Sequence, residues 1–360
     1  MTRVDTIDIK NFRNHEHIHI DFKKGINVIW GENGSGKTAI LEAIYALSMG
    51  RSFRTRLHKE TLKEGSESLS IKGVFTKNEQ KQEIVLNQLL NGQRKFIINN
   101  NNQVSAKELV GQNPIVILSP EEQIITKGSP VDRRSYFDKI LSIVSAEYLN
   151  TLLIYQRSLK QRNTAIRDLK LGRTGRGSIT AWNETLLING KKLWDMRDNL
   201  MVAFINELRG ATERYNSKNA ELKLIYKPEG KAETYKIRLE KSLNSDINKG
   251  WTTTGPHRDN YTFLFNGRPL REFGSQGEHK LALVLIKMAE ITMIKTTTGN
   301  TPVLMLDDLF AKLDFKRADD VLTLMSKGGQ IIITTTDIID FEKHGLDMNS
   351  PDNSTYYLER

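Results

Sequence analysis

Eight consecutive residues, Gly31-Glu32-Asn33-Gly34-Ser35-Gly36-Lys37-Thr38, fit the spacing G-x-x-x-x-G-K-[ST]. Glycines at these positions let successive backbone N–H groups turn inward around a β-phosphate at a helix N-terminus. Lys37 then supplies a point charge to the β- and γ-phosphates, and the Thr38 hydroxyl ligates Mg²⁺. An acidic pair lies far along the chain. Pro302-Val303-Leu304-Met305-Leu306-Asp307-Asp308 is a short apolar strand ending in two acids. A buried strand that delivers a carboxylate beside a phosphate loop holds Mg²⁺, which makes Asp307 the metal-side ligand. Asp308 falls where a base would polarise the attacking water. Strands often end at acids, so it is the phosphate loop at the other end of the chain that gives this pair its meaning. Together they read as a site for a nucleoside triphosphate and its metal.

Ser275-Gln276-Gly277-Glu278 opens an amphipathic helix carrying Leu281, Val284, Leu285, Met288 and Ile291. S-x-x-E is a capping box and satisfies a helix start unaided. The same N-terminus is also an anion site once a partner brings phosphate to it. The two readings are compatible. His15, His17 and His19 share one face of an expected strand and superficially resemble a metal site. No cysteine joins them, and a half-exposed strand face explains them better.

The elements around these residues are legible too. Ile26 to Trp30 is an apolar strand running into the glycines, and Ile40, Ala43, Ile44 and Leu47 mark one face of the helix that follows. Thr6 to Ile9 and His17 to Ile20 alternate as half-buried strands do. Asn99 to Gln103 reads as a turn between strands. From Glu147 to Tyr215 the pattern turns helical, with segments from about Tyr148 to Leu171 and from about Ile179 to Arg214. The glycine-rich stretch Gly172–Ser178 separates them. After Trp251 the mixture of strands and helices resumes. This order predicts an α/β domain, residues 1–145 and 251–360, carrying a mainly helical second lobe at 146–250.

Composition narrows the partners. The chain has 360 residues, 38% hydrophobic and 27% charged, enough to bury a sizeable core and unlike a disordered or fibrous chain. Lys plus Arg is 53 against 43 for Asp plus Glu, a net charge of +10 that suggests a polyanionic partner. With no cysteine, disulfide scaffolds, thiolate zinc sites and cysteine nucleophiles are excluded. The longest apolar run, Leu281 to Ile286, is far short of a membrane span, and Met1 to Lys10 has no signal-peptide core. The expectation is a soluble, cytoplasmic protein. Basic clusters occur at Arg51, Arg54 and Arg56; at Arg133 and Arg134; at Arg157, Lys160 and Arg162; and at Arg173 and Arg176. Each cluster alone reads as a solvated face. With the net charge, some of them point to nucleic-acid binding through backbone phosphates, since nothing looks like a base-reading helix. Aromatic stacking residues for single strands are not evident, which favours duplex or junction DNA.

The order of phosphate loop, helical insertion, S-Q-G-x and L-x-L-D-D-x-x-x-x-L-D resembles the ABC-type ATPases of the SMC-like branch and, within it, the RecF family of bacterial recombination mediators. The likeness is carried by Asn11-Phe12-Arg13-Asn14, Gly31–Thr38, Gly50-Arg51-Ser52-Phe53-Arg54 and Gly128-Ser129-Pro130 followed by Arg133-Arg134. It continues through Tyr155 to Asn163, Gly255-Pro256-His257-Arg258-Asp259 and Asp307 to Asp314. The resemblance implies a compact P-loop ATPase head of mixed sheets and flanking helices with a short helical lobe. It implies ATP and Mg²⁺ as cofactors, a homodimer formed head to head on ATP, and binding to duplex, gapped or junction DNA. It also implies RecO and RecR as partners that help load RecA. Carried over by position, Arg13 and Gly31 to Thr38 are nucleotide residues, Thr38 and Asp307 hold the metal, Ser275 acts across the dimer, and Asp314 closes the D-loop. His257, in the Gly-Pro-His-Arg-Asp string, is expected to have a structural or interface role. Glu278 stands where a glutamine is usual and Lys312 where an acid is common. No histidine follows the strand at Gln330 to Thr336, and Asp308 is shorter than the glutamate of transporters. These departures imply slow hydrolysis, with ATP acting as a dimer clamp. The competing expectations are a transporter-type ATPase and an SMC-like ATPase of another DNA-maintenance or defence system.

Overall fold

Three runs in this chain, Ile115–Leu118, Val303–Asp307 and Ile331–Thr335, are buried at every position. Continuous rather than alternating burial is the mark of strands covered on both faces of a parallel sheet. In the computed structural model, which describes residues 1–100, 102–215, 220–308, 329–336 and 350–359, they form such a sheet. Its order is Ser354–Tyr357, Ile26–Trp30, Ile331–Thr335, Val303–Asp307, Ile115–Leu118, with every neighbouring pair parallel. All five carboxyl ends therefore lie on one edge, and the register sets Asp307 opposite Thr334, and Thr334 opposite Ile29. That edge is where α/β sheets place their ligands.

A second, antiparallel sheet has the order His15–Asp21, Thr2–Phe12, Ser68–Lys77, Gln80–Leu89, Arg94–Ile98, Asn102–Val104. The helix Lys37–Met49 touches strands of both sheets. It was expected to bury one face; instead every residue but Thr38 is buried, because a helix covered from two sides has no solvated stripe.

By internal contacts the described chain falls into two units, 1–123 with 283–360, and 124–282. The second is inserted into the first, as the resumption of strands after Trp251 implied. Its limits differ from the expected 146 and 250. Pro130–Val144 and the strand Asn260–Phe265 belong with the long helices Ala146–Lys170 and Asn183–Tyr215 and not with the sheets. The unit also holds Tyr235–Lys249 and a small antiparallel sheet of Leu222–Lys227, Asn260–Phe265 and Arg268–Pro269.

The interior of this second unit is unusually polar. Asp259 is fully buried and accepts from Arg197 Nη1 at 2.7 Å, Trp194 Nε1 at 2.9 Å, Tyr226 Oη at 2.9 Å and the Glu229 N–H at 2.8 Å. Arg197 also donates to Asp138 at 2.7 Å and to the Pro256 carbonyl at 2.7 Å. The Gly-Pro-His-Arg-Asp string is thus the knot that ties helices, sheet and loop together. Gly255 has φ +133°, and a Cβ there would fall 2.6 Å from the hydroxyls of both Tyr155 and Tyr235, so only glycine fits.

His257 completes the knot. Its Nε2 lies 3.1 Å from the Thr252 carbonyl, which can only accept, so Nε2 carries the proton and Nδ1 accepts from the Tyr155 hydroxyl at 2.7 Å. Burial, helped by the charges of Arg258, Arg134 and Arg197, pushes the imidazole down to about 4. An unfolded histidine titrates near 6.5, so the unfolded chain takes up this proton first as the pH falls. The contribution to stability is intact above pH 6.5 and is lost progressively toward pH 4. His257→Gln removes the titration while keeping a donor and an acceptor. The urea midpoint of the wild type is expected to fall more steeply than that of His257→Gln between those pH values, and parallel curves would refute the assignment.

Candidate nucleotide site

The phosphate loop leaves the strand Ile26–Trp30 and enters the helix Lys37–Met49. Gly36, at φ +97°, makes the turn into the helix, and a Cβ there would fall 2.4 Å from His15 Nε2. The Ala39 N–H already donates to the Gly36 carbonyl at 2.9 Å, which leaves the N–H groups of Lys37 and Thr38 as those without an intrahelical acceptor. Glu32, Asn33 and Gly34 form the exposed outer rim while Ser35 is buried. Lys37 folds back along the loop, its ammonium donating to the Gly31 and Glu32 carbonyls at 2.7 Å each. Burial pushes Lys37 down, and the carboxylates of Asp308 and Asp307 pull it up.

At the sheet edge the Thr38 hydroxyl lies 2.9 and 3.0 Å from the two oxygens of Asp307. Thr334 donates to the same carboxylate at 2.6 Å. Burial raises the Asp307 pKa, offset by the hydrogen bonds from Thr334 and Thr38 and reinforced by the charges of Glu121 and Asp308. Asp308 adopts φ +49°, and its N–H donates to the Thr334 carbonyl at 3.2 Å and to the Thr334 hydroxyl at 3.1 Å. The residues fit Mg·ATP. Glycine turns and free N–H groups suit the phosphates. Thr38 and Asp307 offer hard oxygens side by side, and no cluster of three or more metal-ligating His, Cys, Asp or Glu side chains exists among the described residues. A cation held by two protein oxygens, with phosphate and water completing its shell, is the habit of Mg²⁺. When bound, it would neutralise the charge developing on the phosphates.

Some of what surrounds the loop was not legible. His15 does not belong with His17 and His19. It is buried against the loop, Nε2 facing the Gly36 carbonyl at 3.1 Å, whereas His17 and His19 are exposed beside Asp8. Asn14 reaches the Gly34 carbonyl at 3.4 Å. Arg13 is clamped by Glu42, with Nε at 2.9 Å from one oxygen and Nη2 at 2.6 Å from the other, and gives Nη1 to the Glu60 carbonyl at 2.6 Å. Glu42 is fully buried on the loop helix and also accepts from Ser52 at 2.5 Å, with Arg54 at 3.6 Å. Glu121 follows Ile115–Leu118, the neighbour of the Asp307 strand, and its charge reaches Asp307. The signal was weaker than at Asp307, since Ser119 and Pro120 separate this apolar run from Glu121.

Ser275 caps its helix in both directions. Its N–H donates to Glu278 at 2.7 Å, and the Glu278 N–H donates to its hydroxyl at 3.2 Å. Those bonds hold the Glu278 carboxyl below its ordinary value. The serine remains exposed, so the cap does not close the helix end to an approaching anion.

The basic candidates separate. Arg51, Arg54 and Arg56 are exposed, as are Arg157, Lys160, Arg173 and Arg176. Arg162 is not: it is enclosed with Asp246 at 2.8 Å, Thr252 at 2.6 Å and Asn183 at 2.9 Å. Arg133 is buried, donating to the Tyr261 carbonyl at 2.6 Å and the Gly128 carbonyl at 2.9 Å, and half-buried Arg134 donates to the Asp259 carbonyl at 2.9 Å. Arg133 and Arg162 are therefore corrected from DNA contacts to internal struts, because a guanidinium enclosed by protein acceptors does not present itself to a phosphate. Lys312 and Asp314 lie outside the described residues.

The family model of the RecF/RecN/SMC N terminal domain matches residues 3–344. The DNA replication and repair protein RecF of Moorella thermoacetica is 33% identical over 333 residues, covering 92% of this chain and 89% of the relative. That of Natranaerobius thermophilus is 32% identical over 350 residues, covering 92% and 91%. Among solved structures, the recombination mediator protein RecF-ATP in the RecFOR pathway superposes with a TM-score of 0.87 at 32% identity, covering 94% of this chain and 93% of that one. The Smc head domain from Pyrococcus furiosus matches at TM-score 0.54 and 18% identity, covering 94% of this chain and 90% of that one, a likeness of fold. No described helix is long and apolar enough to cross a membrane.

Proposed function

Since the chain belongs to the RecF family, we propose that it is an ATP-switched, DNA-binding recombination mediator of DNA repair and replication. The observation that carries this reading is the convergence of Thr38 and Asp307 at the end of the phosphate loop. ATP held with Mg²⁺ by one copy is completed by Ser275 of a second copy, and the paired heads grip duplex or gapped DNA through exposed basic residues. RecO- and RecR-type mediators and a RecA-type recombinase are the partners that follow from the RecFOR relatives. Turnover is slow. Asp308 is the carboxylate next to Asp307 in sequence, its side chain shorter than glutamate, and the residue directly after the Ile331–Thr335 strand is Thr336, not a histidine. ATP therefore serves as a clamp rather than as fuel.

Size-exclusion chromatography tests this with ATP, ADP or no nucleotide, each with and without gapped DNA. A dimer is expected with ATP alone and a DNA-bound dimer with both. A protein that stays monomeric in saturating Mg·ATP with DNA, or that turns over as briskly as a transporter ATPase, overturns it.

A further inference from the structure

The far end of the phosphate-loop helix carries a second polar cavity that the nucleotide chemistry does not use. It has a volume of about 530 Å³ and is lined by Arg94, His58, Phe96, Val104 and Ser105 among others, none of them acidic. Arg94 opens the strand Arg94–Ile98, and its guanidinium lies 5.0 Å over the Phe96 ring. One of its five N–H groups has a protein acceptor: Nη1 donates to the carbonyl of Gly50, the residue that caps the helix Lys37–Met49, at 3.0 Å. Its Nε is buried with no partner, and no carboxylate pairs with it among the described residues. Burial lowers Arg94 to about 10, so it is still charged at neutral pH. The His58 imidazole sits near enough for that charge to help burial lower its pKa.

A helix cap alone does not account for this. Capping Gly50 needs one N–H, whereas a buried donor left without an acceptor keeps its desolvation cost uncompensated. A half-buried cation without a counter-ion favours an anion at its open N–H groups, and a phosphate oxygen supplies both acceptor and charge. The loop that begins at Gly50 and leads in sequence to His58 carries the exposed Arg51, Arg54 and Arg56, of which Arg54 lies 3.6 Å from Glu42, so further cations are close in sequence to the cavity residues. A nucleic-acid backbone is the polyanion that can engage several such cations at once, whereas a free anion cannot.

We infer that the cavity at Arg94, His58 and Phe96 seats a phosphodiester of bound DNA, at the opposite end of the helix that holds the ATP phosphates. The inference rests on the DNA-binding reading above and gives that reading a specific anchor. The helix between the two sites is 13 residues, so they are about 20 Å apart along one rigid element.

The test uses the full chain with Mg·ATP and a fluorescent gapped duplex, titrated at several salt concentrations. Arg94→Ala is expected to weaken DNA binding about tenfold and to make the slope of log affinity against log salt shallower by about one, with ATP affinity unchanged. Because Arg94→Ala also removes a helix cap, His58→Glu is the second variant. It keeps Arg94 in place and offers it a carboxylate from an exposed position, and it should weaken binding similarly, while His58→Gln stays within about twofold of wild type. If the wild type binds DNA and both Arg94→Ala and His58→Glu bind equally well with the same slope, the cavity assignment fails alone. If the wild type binds no DNA with ATP, the functional reading fails and takes the cavity with it. Displacement of the DNA by millimolar inorganic phosphate at matched ionic strength would make this a site for a free anion and overturn the assignment to nucleic acid.

Discussion

Lys37→Met is expected to lower ATP affinity by about a hundredfold or more and to abolish ATP-dependent dimerisation and DNA binding with it. The ammonium is held at the loop by two carbonyl acceptors at 2.7 Å, those of Gly31 and Glu32, which places it to exchange these bonds for phosphate oxygens. Charge-assisted hydrogen bonds contribute roughly 1.5–3 kcal/mol each. Losing two therefore amounts to about 3–6 kcal/mol, or a factor of about 10² to 10⁴ in binding. Stability should change little. Burial already disfavours the charged lysine, and methionine fills nearly the same volume without a charge to desolvate. Equilibrium binding of a fluorescent ATP analogue, alongside a thermal melt, separates the two effects. Affinity within threefold of wild type at an unchanged melting temperature would mean that Lys37 does not touch the phosphates, and the nucleotide site would have to be rebuilt elsewhere.

Which residues could be read from the chain follows from how far away their partners are. The loop Gly31–Thr38 is local, so its chemistry is written in adjacent residues. Asp307 was legible because a strand buried on both faces announces itself as an apolar run, and its carboxyl end must lie on the ligand edge. Arg162 and Arg133 were misread because charge is visible in a sequence and burial is not. The acceptors that enclose them, Asp246 and the Tyr261 carbonyl, are 84 and 128 residues away. His15 followed a period-two pattern with His17 and His19, yet the strand pairing that sets it opposite Phe12 at the end of the hairpin also brings it under Gly36. Glu42 left no trace, since a carboxylate at a buried helical position has meaning only once Arg13, Ser52 and Arg54 are seen to converge on it. Non-local polar partners are what the periodicity of apolar residues cannot carry.

The same lesson fixes the meaning of the Gly-Pro-His-Arg-Asp string, and Asp259→Ala is the substitution that tests it. Its carboxylate is fully buried and takes hydrogen bonds from a guanidinium, an indole N–H, a phenol and a backbone N–H. Truncation leaves Arg197, itself 2% exposed at the side chain, with Asp138 as its remaining acid. It also leaves the Trp194 indole and the Tyr226 hydroxyl without their acceptor. Breaking a buried pair from one side costs about 3–5 kcal/mol, and each stranded donor adds roughly 1–3, though not additively. Against a typical stability of about 5–15 kcal/mol, this is enough to unfold the inserted unit or leave it marginal. Asp259→Asn keeps an acceptor and should lose less. Urea unfolding followed by the fluorescence of Trp194, which sits in the knot, is expected to show an early transition in Asp259→Ala and an intermediate one in Asp259→Asn. A wild-type midpoint combined with weakened DNA binding would reverse the conclusion: the string would then be a contact surface, and the polar interior of this unit would need another reason to exist.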